Sequence, residues 1–150
     1  MTTTTMAELP SLKGQELGSS PWSEVTQDRV NTFAEATADR QWIHVDVERA
    51  KKESPFGGPV AHGYLTLSLL IPMWGDVLTV TDATTAINYG LNKVRFPAPV
   101  PVGSRIRLTA TLTYVTEVAG GLQVTASAVI ELEGGGKPAC VAEPIFRFYA

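Results

Sequence analysis

Hydrophobic and polar positions change rhythm about halfway along this chain. In the first half Val30, Phe33, Ala34 and the methyl-bearing Thr37 recur at i, i+3, i+4 and i+7, the period of a helix with one buried face. Thr26 is placed to cap its N-terminus, and Asp39 falls just past its end. Before it, Leu17 to Val25 reads as an extended segment. Asp46 can cap a second short helix, with Glu48 in the first turn and Lys51 and Lys52 near the end, as the helix dipole favours. Ser-Pro-Phe-Gly-Gly-Pro over residues 54–59 is a loop. A third helix is predicted from about Gly63 to about Trp74. Tyr64, Leu65, Leu67, Leu69, Leu70 and Ile71 make it apolar all round, so it should be enclosed on several sides.

From residue 86 onward the period falls to two. Segments 86–96, 104–117, 122–133 and 138–149 are rich in Val, Ile, Thr, Tyr and Phe, and Pro-Ala-Pro-Val-Pro, Ala-Gly-Gly and Gly-Gly-Gly separate them. Alternation in Arg105-Ile106-Arg107-Leu108 and Phe146-Arg147-Phe148 predicts half-buried antiparallel strands. Helices first and strands after imply an α+β domain. Wrapping one greasy helix in a long curved sheet is the economical packing, because each covers the other's apolar face. No repeat or linker divides the chain, so residues 11–150 read as a single domain and residues 1–10 as a disordered, frayed tail.

Composition narrows the function. At 150 residues, with 44% hydrophobic and 18% charged positions, the chain can bury a substantial core. A net charge of −3 argues against nucleic acid as a partner, because no basic stripe exists to neutralise phosphates. Cys140 is the single cysteine and cannot close an internal disulfide, which suits a reducing, cytoplasmic setting. The opening MTTTTMAELP lacks the basic and apolar regions of a secretory signal. The apolar run from Tyr64 to Trp74 contains Pro72 and falls short of the roughly 20 residues a membrane span needs, so no membrane partner is expected.

The candidate chemistry lies between Ala34 and Leu70, which holds both of the chain's histidines. His44 follows Asp39 by five positions, and Ala61-His62-Gly63 opens the apolar helix. An acid, an imidazole and a backbone amide at a helix start are the parts needed to add water beside a carbonyl. The bland readings are an acid that ends a helix and a core histidine. His62 can simply position the turn before Gly63, and Trp42 and Trp74 can be core or dimer-contact residues. Thr66 and Ser68 can bond back to helix carbonyls. A metal centre drawn from Asp39, His44, Asp46 and His62 has no HExxH or paired-cysteine spacing behind it, and none is expected. No GxSxG elbow and no GxGxxG after a strand occurs.

Ala38-Asp39-Arg40-Gln41-Trp42-Ile43-His44, Pro59-Val60-Ala61-His62-Gly63 and Asn88 to Phe96 followed by Pro97 to Gly103 carry a family likeness. The chain resembles the MaoC-like, single-hotdog (R)-specific enoyl-CoA hydratases, a group that includes nodulation protein N-like proteins. Gln41-Trp42 stands where that family usually has Asn-Pro, and Ala38 where it has glycine. The resemblance implies a hotdog fold, a homodimer with sheets joined edge to edge, and no metal or other cofactor. It implies hydration of trans-2-enoyl-CoA to (R)-3-hydroxyacyl-CoA, with Asp39 and His44 as the catalytic pair and the Gly63 N–H as oxyanion donor. His62, Trp42, Lys93 and Arg95 are then candidate substrate contacts, the last two toward CoA phosphates, although alternating strand charges are usually a solvated face. Dehydration on acyl carrier protein, a hotdog thioesterase and a non-catalytic acyl-thioester binder are the alternatives.

Overall fold

The computed structural model describes residues 1–150. Its elements run β1 (Thr2–Thr4), a 3-10 turn (Leu9–Leu12), β2 (Glu16–Ser19), β3 (Ser23–Glu24), α1 (Gln27–Thr37), α2 (Trp42–Val45), α3 (Val47–Glu53), α4 (Gly63–Ser68), α5 (Leu70–Val77), β4 (Leu78–Val80), β5 (Thr85–Arg95), β6 (Arg105–Val118), β7 (Gly121–Leu132) and β8 (Cys140–Tyr149). The main sheet is antiparallel in the order β2-β6-β7-β8-β5, and β3 also pairs with β6.

Two-residue periodicity decides which face of that sheet is covered. Ile106, Leu108, Ala110 and Leu112 on β6, Val124, Ala126, Ala128 and Ile130 on β7, and Phe146 and Phe148 on β8 all turn inward and are buried. On the other face Arg107 lies opposite Glu131 and pairs with it across the strands at 2.6 Å. Leu65, Leu70, Met73, Trp74 and Val77 of α4 and α5 complete the same core, with the Trp74 ring 4.6 Å from that of Phe146. Each large aliphatic side chain removed from water here contributes about 1.5–3 kcal/mol. This is the α+β architecture that the pattern predicts, with the four long strands within two residues of their expected bounds.

Three expectations need correction. The third helix is two helices, α4 and α5, broken at Leu69. Pro72 is the cause: it has no N–H for the Ser68 carbonyl and its ring crowds that carbonyl. Nor is this helical stretch enclosed all round, since Tyr64 is 72% and Ile71 45% exposed. Residues 1–10 are not a frayed tail. β1 pairs in parallel with β4, the Met6 N–H donates to the Asp82 carboxylate at 2.7 Å, and Leu9 is completely buried. Finally, β5 is not half-buried. It is the sheet's edge strand and exposes Ile87, Tyr89 and Leu91, and Phe96 just beyond it is exposed as well. No helix is long and apolar enough to cross a membrane.

Leu9 gives a direct check on the N-terminal segment. Leu9→Ala is expected to lower unfolding free energy by about 2–5 kcal/mol, read from urea titrations. A residue in a free tail would change it by less than about 0.5 kcal/mol.

Candidate active site

Helix α1 begins where the Thr26 hydroxyl accepts the Arg29 N–H, and it ends where Ala38 adopts φ 61°. A left-handed residue here swings the chain out of the helix axis and presents Asp39 at the surface. Outside this turn Arg40 forms a two-point ion pair with Glu35, at 2.8 and 3.0 Å. The guanidinium holds the Glu35 carboxyl below the ordinary carboxylate range, through its hydrogen bond first and its charge second. Arg40 is thereby engaged away from Asp39.

His44 lies in the short helix α2 and is buried. Three bonds hold that helix. The Gln27 side chain of α1 donates to the His44 main-chain carbonyl at 2.8 Å. The Val60 N–H donates to the Ile43 carbonyl at 3.0 Å. The Val60 carbonyl, which can only accept, takes the His44 Nδ1–H at 2.6 Å. That bond fixes the tautomer of the neutral ring, so Nε2 carries the free lone pair. Burial depresses the His44 pKa below its ordinary value, and the charge of His62 adds to this. The Val60 bond and the charge of Asp39 oppose it. Desolvation outweighs the opposing pair, so the ring is neutral at pH 7 and able to accept a proton.

His62 is buried more deeply still, 2% exposed. Its ring stacks on that of His44 with centroids 3.9 Å apart and planes 23° apart, and Phe33 packs against it at 4.9 Å. Its Nε2–H donates to the Asp39 main-chain carbonyl at 2.9 Å, and its Nδ1 is buried without a partner. One polar side-chain atom from each of Asp39, His44 and His62 lies within 4.8 Å of the other two. This set is poorly arranged for a metal ion. Nitrogen lone pairs lie in the ring planes, and two nearly parallel stacked rings cannot both aim at one ion about 2.0–2.1 Å away.

Gly63 opens α4 directly after His62, whose side chain makes no capping bond. The first N–H groups of a helix have no carbonyl of their own turn to bond. A Cβ at position 63 would stand 3.2 Å from the Phe96 ring, which would have to give by a few tenths of an ångström, so glycine lets the two pack closely here. Beside it lies a mainly apolar cavity of about 270 Å³, whose walls include Ile43, Phe56, Val60, Gly63, Thr66 and Phe96.

The structure thus brings Asp39, His44, His62 and Gly63 into one neighbourhood. It does not bring in the other three candidates. The Trp42 ring lies under the Arg49 guanidinium of α3 at 4.1 Å. Lys93 and Arg95 line a separate hollow with Ser127, Val141 and Glu143. Sequence reasoning missed the Val60 carbonyl, the Gln27 anchor and the Phe96 ring over Gly63. Only Gln27 left a trace, as a polar residue in the first turn of α1; the other two depend on chain paths that no local pattern encodes.

Comparison with known proteins identifies the family. The family described as MaoC like domain matches residues 8–133. The chain is 53% identical over 146 residues to 3-hydroxyacyl-thioester dehydratase Z of Mycobacterium tuberculosis, covering 97% of this chain and 96% of that one. It is 45% identical over 139 residues to Nodulation protein N of Rhizobium leguminosarum bv. viciae, covering 91% and 86%. Among solved structures, an (R)-hydratase from A. caviae superposes with a TM-score of 0.72 at 24% identity, covering 89% and 94%, and shares the hotdog fold.

Ala38 tests the turn that presents Asp39. A left-handed alanine costs roughly 1–2 kcal/mol, and glycine there gives back about 0.5–1 kcal/mol in chain entropy. Ala38→Gly should therefore raise the melting temperature, while β-branched Ala38→Val should lower it.

Proposed function

The chain belongs to the MaoC-like dehydratase family, and from that premise we propose that it interconverts trans-2-enoyl-CoA and (R)-3-hydroxyacyl-CoA, with Asp39 and His44 as the catalytic pair. The observation that carries this reading is the His44 Nδ1–H bond to the Val60 carbonyl. It leaves a neutral Nε2 free as a proton acceptor beside the exposed Asp39.

In the hydration direction a water held between the Asp39 carboxylate and His44 Nε2 loses a proton as its oxygen bonds to Cβ. The electron pair of the double bond moves through Cα onto the thioester oxygen. The Gly63 N–H meets that oxygen, and such a donor is worth about 2.7–4 kcal/mol where one has been removed from an enzyme. The pair then returns the proton to Cα. Dehydration is the reverse, and it fits the name of the 53%-identical relative. The apolar cavity beside Gly63 suits the carbon chain, and no cofactor is required. Lys93 and Arg95 play no part in this scheme.

A cytoplasmic homodimer is part of the proposal. Support comes from the β5 edge, whose Ile87, Tyr89 and Leu91 stand open to solvent with Phe96, together with Tyr64 and Ile71. A second copy would cover them. CoA is preferred to a carrier protein because this chain carries a net charge of −3 and offers only scattered cations.

Loss of the conjugated enoyl-thioester absorbance tests the reaction, with crotonyl-CoA and a longer enoyl-CoA as substrates. Wild type should consume them and yield the (R)-alcohol. Asp39→Asn and His44→Asn should each lose about 10²–10⁴-fold in kcat. Activity on carrier-protein thioesters alone would overturn the CoA assignment, and no activity on either would overturn the hydratase reading.

The acid limb of kcat/KM gives a second check. His44 must be neutral to work, and its pKa lies below the ordinary 6.5. Activity should therefore persist below pH 6.5 and fall only as pH drops through the depressed value. A limb above pH 6.5 would assign the essential base to another group.

A further inference from the structure

We propose that His62 is a positioning residue for the Asp39–His44 pair, fixing the acid-bearing turn and the tilt of the His44 ring at once. Its kinetic consequence rests on the hydratase reading; its structural consequence does not.

Two contacts converge on this one side chain. The Nε2–H bond to the Asp39 carbonyl spans 23 residues of sequence and ties down the peptide just after the left-handed Ala38. The stack on His44, at 3.9 Å and 23°, supplies what the Val60 bond lacks. One hydrogen bond fixes a single ring nitrogen and leaves the ring free to rock about the N···O line, whereas a flat neighbour against its face stops that motion. His62 is also the residue that leads into α4, so its backbone sets the direction of the Gly63 N–H.

A packing role alone does not account for a histidine here. At 2% exposure its Nδ1 is buried without a partner, which works against the stability of the fold. Leucine would fill the space and leave no orphan. The imidazole is the side chain that provides both a flat face and a donor aimed at Asp39.

The groups bearing on the His44 charge are Asp39, from the turn after α1, and His62, before α4; the α1 contact, Gln27, is uncharged. Replacing His62 with glutamine removes the repulsion between the two rings and keeps the bond that holds the Asp39 turn. The His44 midpoint then rises in pH, and the acid limb of kcat/KM rises with it.

The test uses His62→Leu and His62→Gln. With only two histidines in the chain, the imidazole resonance left in either variant belongs to His44, so proton NMR reads its titration without a further assignment. In His62→Leu the melting temperature should stay within a few degrees, because the lost bond and the removed orphan offset each other. Its kcat should fall roughly 10- to 100-fold with KM little changed. His62→Gln, whose amide can still reach the Asp39 carbonyl, should recover part of kcat while the His44 midpoint stays raised. If His62→Leu does not fold, His62→Gln carries the test alone. Wild-type kcat, a change confined to KM, or a loss that merely tracks unfolded protein would overturn the proposal. If wild type turns over no thioester, the hydratase reading fails. The NMR titration then decides the matter, and a His44 midpoint unmoved in His62→Gln overturns the ring contact on which the positioning role rests.

Discussion

Val60 is the clasp on which the site depends. Its N–H reaches the Ile43 carbonyl, and its own carbonyl receives the His44 ring. The same short segment is stitched to the connection between β5 and β6, where Ala61 N–H meets the Val100 carbonyl at 2.9 Å and Val102 N–H meets that of Pro59 at 2.9 Å. The clasp therefore joins the acid and imidazole, contributed by the end of α1 and by α2, to the start of α4. All of it rests on that connection, whose Val100 is buried in the core. Three backbone bonds and one ring bond hold the geometry, so a loop of Pro and Gly can stand between His44 and His62 without loosening either.

The electrostatic setting follows from that burial. Two imidazoles in face contact disfavour a double positive charge, and desolvation disfavours even one. A histidine held neutral with Nδ1–H committed to a carbonyl has a single task left for Nε2. Asp39, by contrast, is exposed to solvent. The same short stretch thus pairs an exposed carboxyl group with a buried neutral base. Shared proton chemistry needs that difference in environment.

Much of this was legible in the sequence, for identifiable reasons. Period-two alternation over Arg105–Leu108 and Phe146–Phe148 marks one covered face, and the strands appear where it says. Thr26 and Asp46 cap α1 and α3 because their side-chain oxygens accept from Arg29 and Arg49. Asp39, His44 and Gly63 stood out as candidate chemistry beside plainer structural readings, and they do lie together. Other features depend on contacts far along the chain. The threonine-rich start resembles a free tail, yet its backbone pairs with β4, some 76 residues on, as in Thr2 opposite Leu78. The break at Leu69 is an effect of Pro72 felt three residues upstream. The stack of His62 on His44 has no signature in spacing, since a Pro/Gly loop of unknown path lies between them. β5 alternates well enough to be found as a strand, but alternation cannot reveal that neither face of it is covered.

The most direct test of the central claim is stereochemical. Asp39 and His44 lie on one side of the bound chain in the proposed site, so hydroxyl and proton both come from that side. Hydration of a trans-2-enoyl-CoA in deuterium oxide, with the product's relative configuration read by proton NMR, reports this without any substitution. Deuterium at Cα on the same face as the new hydroxyl, syn addition, is the expected result. Anti addition would mean that water and proton arrive from separate groups, and the pairing of Asp39 with His44 around one water would be wrong.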